Sequence, residues 1–207
     1  MAMSKSAERA YKKAVKAKKK AKRGHWLLIQ KGDSVKEVFS KLFTQFAVLV
    51  LIGCGVILAN EFRLSFSARQ LNDSLKSLYQ SYIAHDSGGD VLPGAAQLLK
   101  INPDTVGYIS IDGTEVDFPV VQTTDNSTYL KKAFDGSSNK AGTVFLDYRD
   151  VLTSNKRSDN LVLYGHNQKD RSMFGSLKDY KKNLEHYKAH PTITFNSNYQ
   201  SDDYKIF

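Results

Sequence analysis

The chain has 207 residues, a length that fits one domain with an appendage. Its 41% hydrophobic and 25% charged residues exclude a wholly disordered protein, and its single cysteine excludes a disulfide framework or a cysteine-based zinc cluster. The net charge of +9 is unevenly distributed, because residues 1–41 hold 13 basic and 3 acidic side chains whereas residues 42–207 hold 17 and 18. The basicity therefore belongs to an N-terminal tail, and we expect no nucleic acid partner.

The first predicted element is residues 42–60, which are 19 consecutive residues without a charge. As a helix this stretch spans about 28 Å, close to the hydrocarbon thickness of a bilayer. A buried core helix and a cleaved signal peptide are the alternatives, but the stretch is long for either. We predict an uncleaved transmembrane anchor with the basic tail, residues 1–41, in the cytoplasm and the remainder outside the cell. The tail would also contact anionic lipid headgroups.

Residues 61–100 are predicted to form a helical stalk or helices packed on the domain. Over residues 61–85 apolar side chains recur at helical spacing, and residues 95–100 suggest a second, short helix. Between the two, glycine, serine and proline interrupt the pattern. The side chains expected on the packed face of the first helix are Leu64, Leu71, Leu75, Leu78 and Tyr82.

The pattern changes to short apolar runs after residue 101, and we predict a mainly β domain over residues 101–207, a β-barrel or sandwich. Pro119 suggests that its strand is an edge or contains a bulge. The predicted strands are 106–111, 116–122, 143–148, 160–166, which we expect to be buried, 192–196 and 204–207, and the predicted helices are 173–180 and 184–188. The apolar final run resembles the start of a strand, so we expect the sequence to continue beyond it.

His166 is the best candidate for chemistry, because it ends an apolar strand and precedes a polar loop. A histidine titrates near neutral pH, which suits proton transfer. His186 and His190 have the spacing of a helical metal pair, but no third ligand accompanies them, and we expect neither a metal nor another cofactor. Cys54 lies within the predicted anchor, where lipid burial makes a thiol inert. Asp147 flanks a strand end and is a candidate to line a cleft.

Several segments, in order, resemble class B sortases. They are residues 102–122 (NPDTVGYISIDGTEVDFPVVQ), 125–130 (DNSTYL), 142–149 (GTVFLDYR) and 160–180 (NLVLYGHNQKDRSMFGSLKDY). The YGHN…MF…L..Y pattern is the most specific of these. The resemblance covers about residues 60–207, and a cytoplasmic tail followed by one anchor fits the family's topology.

The resemblance implies an extracytoplasmic cysteine transpeptidase. Such an enzyme cleaves the sorting signal of a secreted surface protein near a Thr–Gly or Thr–Asn bond and passes the acyl group to an amine of cell-wall peptide. By motif match His166 is the family's catalytic histidine, which protonates the leaving amine. Asp147, Tyr164 and Asn167 are the residues expected to line the substrate cleft.

The sequence departs from the family at two catalytic positions. The family's cysteine lies on a strand that follows the YKIF run at the end of this chain, and its arginine lies on the next strand. Arg149 and Arg157 do not match the arginine's motif, and Arg171 stands where the family loop has a glycine. We therefore expect no transpeptidation by these 207 residues alone. The alternatives are a membrane-anchored binding module without catalysis, and a protein that acts through its basic tail.

Overall fold

The structure, a computed structural model, describes residues 7–15, 27–83 and 90–207. The chain divides into two compact units, Met1–Glu61 and Phe62–Phe207, which are described separately. Two predicted features lie outside the described residues. They are the most basic run of the tail, residues 16–23, and the glycine-containing break after the first stalk helix, residues 87–89.

The first unit contains the start of helix α1, Val35–Ile83. The helix begins there because Ser34 and Glu37 form a capping box, in which the Ser34 amide donates to the Glu37 carboxylate at 2.9 Å and the Glu37 amide donates to Ser34 Oγ at 3.3 Å. Among the described residues α1 is the one helix long and apolar enough, by length and composition, to cross a membrane. The predicted anchor and first stalk helix are thus one continuous helix.

The second unit, which includes α1 from Phe62 onward, is built on one six-stranded sheet. All neighbouring strands are antiparallel except β2 and β3, which are parallel. The sheet curls, and Arg157, between β3 and β4, pairs with Asp202 on β6, the strand at the opposite edge, at 2.5 Å. The predicted barrel-like fold class is confirmed as a curled half-barrel. In spatial order the strands are β4 (Leu163–Tyr164), β3 (Val144–Leu146), β2 (Asp117–Val121), β1 (Thr105–Ser110), β5 (Thr192–Ser197) and β6 (Ser201–Lys205).

A short helix precedes β1, and further short helices and 3-10 turns connect later strands. The predicted helix at 173–180 starts as a 3-10 turn, and only its second part is an α-helix. The helix predicted at 184–188 is present, and the Asn183 side chain caps it by accepting from the amides of Glu185 and His186. The elements are α2 (Pro93–Ile101), 3-10 turns Thr128–Leu130 and Phe174–Leu177, α3 (Lys178–Lys182) and α4 (Leu184–Ala189).

The two faces of the sheet bury separate apolar clusters. α1 covers one face with Leu75 and Tyr79, and the ring of Tyr79 stacks on Tyr108 of β1 at 3.9 Å between centroids. The buried stripe of α1 therefore ends in Tyr79 rather than in the predicted Leu78 and Tyr82. The other cluster contains Ile109, Ile111, Val116, Phe118, Val120, Val144, Leu146, Met173 and Phe195.

Three strand predictions need correction. The predicted buried strand 160–166 is a two-residue edge strand, β4, which pairs only with β3; its Leu163 side chain is partly buried and its Tyr164 side chain is exposed. The run 204–207 was expected to start a strand, but β6 begins at Ser201 and ends at Lys205. β2 is internal rather than an edge, whereas the alternative prediction, a bulge, has a counterpart in the register shift between Thr105 and Gly107 where β1 pairs with β2. Pro119 is tolerated because the β2–β3 ladder begins one residue later, at Val120.

Candidate active site

His166 lies two residues beyond edge strand β4, with its side chain partly exposed. Its backbone carbonyl accepts a hydrogen bond from the Phe174 amide at 3.0 Å, which closes the loop 167–173 onto the strand end. Within the described part of the chain no hydrogen bond fixes its imidazole, so both ring nitrogens remain available to a ligand. Edge strand β4 thus presents a partly exposed histidine just beyond its C-terminal end.

The loop 167–173 has a defined backbone. Asn167 and Met173 form a β-bridge across it, and Asp170 accepts hydrogen bonds from the Ser172 amide and hydroxyl. Outside the loop, Arg69 of α1 donates to the Asp170 carboxylate at 2.8 Å. These bonds, led by the one from the Ser172 hydroxyl, lower the pKa of Asp170. Helix α1 therefore contacts the loop that follows His166.

Two residues of the loop have a positive φ, Arg171 at 70° and Met173 at 52°. A positive φ favours glycine, the residue that the resemblance led us to expect at position 171. The Arg171 guanidinium pairs with the Asp179 carboxylate on α3. Arg171 therefore carries the backbone strain that a positive φ imposes on a residue other than glycine.

We expect the variant Arg171→Gly to be about 1 kcal/mol more stable than Arg171→Ala, because both lose the Asp179 ion pair but only alanine keeps the strain. At Lys169, an exposed position of the same loop where φ is not positive, the order should reverse and alanine should be the more stable. Thermal unfolding of the four variants in detergent micelles, followed by near-UV circular dichroism, measures both differences. The same order at both positions would contradict the assignment of strain to residue 171.

Asp147 follows β3 and has the only charged side chain that is buried among the described residues, with 2% exposed. Its Oδ1 accepts from the backbone and Nε of Arg149, both at 2.9 Å, and its Oδ2 accepts from Arg149 Nη2 at 2.8 Å. Oδ2 also accepts from Asn126 Nδ2 at 2.9 Å and from the Tyr164 hydroxyl at 3.0 Å. The bonds from Arg149 are the main reason that the pKa of Asp147 lies far below its usual range.

The three residues predicted to line the cleft differ in their exposure to solvent. Tyr164 and Asn167 are exposed on either side of His166, whereas the carboxylate of Asp147 is occupied by protein groups. Asn126 was not singled out by the sequence analysis, although it belongs to the DNSTYL segment that carries the resemblance. It connects to this site because its amide bonds Asp147 and its carbonyl accepts from the Tyr148 amide at 3.0 Å.

The remaining candidates lie elsewhere. Cys54 is exposed within the first unit, in the apolar part of α1. His190 bonds the Asp112 carbonyl through Nδ1 at 2.6 Å, and its ring lies 4.6 Å from that of His186. Tyr180 packs edge-on against His186. In the ranges that the structure describes, no group of three or more His, Cys, Asp or Glu side chains is placed to hold a metal ion.

Comparison with known proteins identifies the fold. The chain is 32% identical over 166 residues to sortase B of Listeria monocytogenes, covering 77% of this chain and 66% of that protein. It is 36% identical over 117 residues to sortase B of Staphylococcus aureus, covering 56% and 47%. It thus spans less than two thirds of either curated relative. No family model matches it.

Solved structures point to the same family. A crystal structure of sortase B from B. anthracis matches with a TM-score of 0.65 and 30% identity, over 70% of this chain and 68% of that one. The Staphylococcus aureus sortase B–substrate complex matches with a TM-score of 0.63 and 31% identity, over 69% and 64%. The common architecture is that of a sortase. The chain belongs to the class B sortases, which confirms the resemblance seen in the sequence.

Proposed function

We propose that this chain binds the sorting-signal peptide of a surface protein beside His166, and that His166 is the general acid and base of a cysteine transpeptidase. The observation that supports this proposal most directly is the position of a partly exposed histidine just beyond β4. In the sequence it lies between Tyr164 and Asn167, which are both exposed. Membership of the class B sortases supports the proposal, as does the existence of a substrate complex of a relative with the same fold.

The chemistry assigns one proton-transfer role to these residues. When a thiolate attacks the peptide carbonyl, the scissile C–N bond breaks and the leaving nitrogen takes a proton, which His166 supplies. The neutral imidazole then accepts a proton from the incoming cell-wall amine as that amine attacks the thioester. No cysteine or arginine among the 207 residues matches the family's motifs for those groups, so we propose the covalent step only for a protein that supplies them.

We further propose that the protein crosses the membrane once, through residues 42–60, with residues 1–41 in the cytoplasm and 61–207 outside. The exposed apolar side chains of α1 and the basic flank before it support this arrangement. The division into a helical region at 61–100 and a barrel domain at 101–207 is part of the same proposal. Protein that resists carbonate extraction and is cleaved by protease added to intact cells would support it; release by carbonate would oppose it.

The binding proposal is tested with the full chain in detergent micelles and a pool of peptides that carry a central Thr–Gly or Thr–Asn with randomised flanks. We expect a subset of peptides to bind and to shift the ring signals of His166 in NMR spectra. His186 and His190 serve as internal controls, because their rings pack against each other. Peptides that leave His166 unchanged, or no binding by any member of the pool, would contradict the proposed site.

The covalent part is tested on protein extracted from its own membranes. Its intact mass, compared with 23.2 kDa for the 207 residues, shows whether a further segment is present. If one is present and carries a cysteine, a thiol reagent should block peptide transfer, and His166→Ala should reduce transfer at least 100-fold, within the range known for general acid–base catalysis. Transfer that survives the histidine substitution would refute the assigned role.

A further inference from the structure

We infer that Asp147 is a positioning residue, whose buried carboxylate holds the side chains that form one wall of the peptide site beside His166. This inference rests on the proposed function for its ligand, but its structural part can be measured without one. It begins from the burial of Asp147, since a buried carboxylate is costly unless charge and hydrogen bonds compensate it. Five donor groups do so here.

The donors come from three separate segments. Asn126 precedes the 3-10 turn at Thr128–Leu130, Arg149 follows β3, and Tyr164 is on β4. Phe145 and Tyr164 are directly paired across β3 and β4, so Asp147, two residues after Phe145, is the diagonal neighbour of Tyr164. One carboxylate therefore bonds side chains from three segments of the chain.

Those side chains also reach the surface. Arg149 is 68% exposed at its side chain and lies over the ring of Tyr148, while Tyr164 is 37% exposed and stacks on Phe145 at 5.1 Å between centroids. Both side chains therefore bond Asp147 while part of each remains exposed to solvent. Residues i and i+2 of an extended segment share a face, which predicts that Tyr164 lies on the same side of its segment as His166.

Electrostatics keep this arrangement in one state at neutral pH. Asp147 remains ionised because the Arg149 guanidinium bonds it, and its hydrogen bond is the main cause that raises the pKa of Tyr164. The phenol therefore stays protonated and donates to the carboxylate. Side chains that are already ordered before a ligand binds lose less conformational freedom on binding, and this increases affinity. Asp147 acts on the peptide only through Tyr164, Arg149 and Asn126.

The test uses the full chain in micelles and the tightest-binding Thr–Gly or Thr–Asn peptide of the pool. Asp147→Asn keeps the side-chain volume and removes the charge, and we expect it to weaken binding about tenfold, as expected when side chains must be ordered on binding. The matched control is Asp104→Asn, because Asp104 also accepts from a tyrosine hydroxyl, that of Tyr129, at 2.8 Å. We expect the control to bind within twofold of the unsubstituted chain.

The second test uses Tyr164→Phe. If Asp147 had only a structural role, its effect on peptide binding would not depend on one hydroxyl group. If Asp147 acts in part through the phenol, Tyr164→Phe should weaken binding less in the Asp147→Asn background than in the unsubstituted chain. Fully additive losses, a normal affinity in folded Asp147→Asn, or an equal loss in Asp104→Asn would each overturn the inference.

The peptide-free measurement separates this inference from the proposed function. In Asp147→Asn the pKa of the Tyr164 phenol, followed by NMR of the ring carbon that bears the hydroxyl, should fall, whereas in Asp104→Asn it should not change. If no peptide binds but this shift occurs, the proposed function fails and the positioning contact stands. If peptides bind at His166 and the phenol does not respond to Asp147→Asn, the positioning inference alone is wrong.

Discussion

Replacing Leu146 with alanine should lower the free energy of unfolding of the second unit by about 2–5 kcal/mol. Leu146 is fully buried between β2 and β4, in the cluster that includes Val144 and Met173. The loss has two parts: the transfer free energy of the removed side-chain carbons, and the cost of the cavity that their removal leaves. Since a domain of this size is stable by about 5–15 kcal/mol, the variant would lose a substantial part of its stability.

The control for this prediction is Leu184→Ala, the same chemical change at a side chain that is 65% exposed on α4. Surface changes usually alter stability by less than about 0.5 kcal/mol. Chemical denaturation of both variants in micelles, read by near-UV circular dichroism, gives the two values. Because Leu146 pairs with Leu163 on β4, the His166 segment should also lose protection against hydrogen exchange in Leu146→Ala. Equal stability of the two variants would show that this cluster is not the core of the unit.

The apolar runs of the sequence predicted two strands, β1 and β5, in which every side chain is at least partly buried. β1 and β5 lie where the apolar runs predicted them, within one residue at each end. The β4 prediction failed because the run NLVLYGH has the composition of a buried strand, yet only Leu163 and Tyr164 pair, and only with β3. Which strand lies at an edge depends on the order of strands in the sheet, which local composition does not encode.

The β6 error has a different cause. Residues Ser201–Lys205 are polar and mostly exposed, so they carry no apolar signal, but cross-strand bonds to β5 hold them extended. Among these, the Thr194 hydroxyl donates to Asp203 at 2.7 Å. The apolar side chains after them, at Ile206 and Phe207, suggested a strand where none forms. Pairing across strands overrode propensity at this position.

The candidate site was predictable only in part. His166 was found because it lies within a motif, and Tyr164 and Asn167 because they are next to it in sequence. The bonding of Asp147 to Asn126 and Tyr164 joins residues separated by 21 and 17 positions, and nothing in the spacing of these residues announces that contact. The resemblance identified the relevant segments, but the buried position of the carboxylate followed only from the fold.

Acidification is expected to destabilise the second unit steeply below about pH 4. Three carboxylates beside the site have pKa values below their usual one: that of Asp147 chiefly through Arg149, that of Asp125 chiefly through the Ser127 hydroxyl, and that of Asp170 through Ser172. An unfolded aspartate titrates near about 3.9. Each group therefore contributes stability that is fully present above that value and is lost as pH falls through its folded pKa.

Thermal unfolding in micelles at pH 7, 5, 4 and 3 tests this prediction, with the midpoint expected to change little to pH 5 and then to fall. Unfolding below pH 4 must bind protons, because the unfolded carboxylates have the higher pKa. Arg149 does not weaken this dependence, since its own pKa is raised by the same hydrogen bond and its charge persists throughout. Asp147→Asn starts from lower stability but lacks one of these carboxylates, so its midpoint should fall less between pH 5 and pH 3. A midpoint that falls equally in both proteins would show that the pKa of Asp147 does not differ between the folded and the unfolded chain.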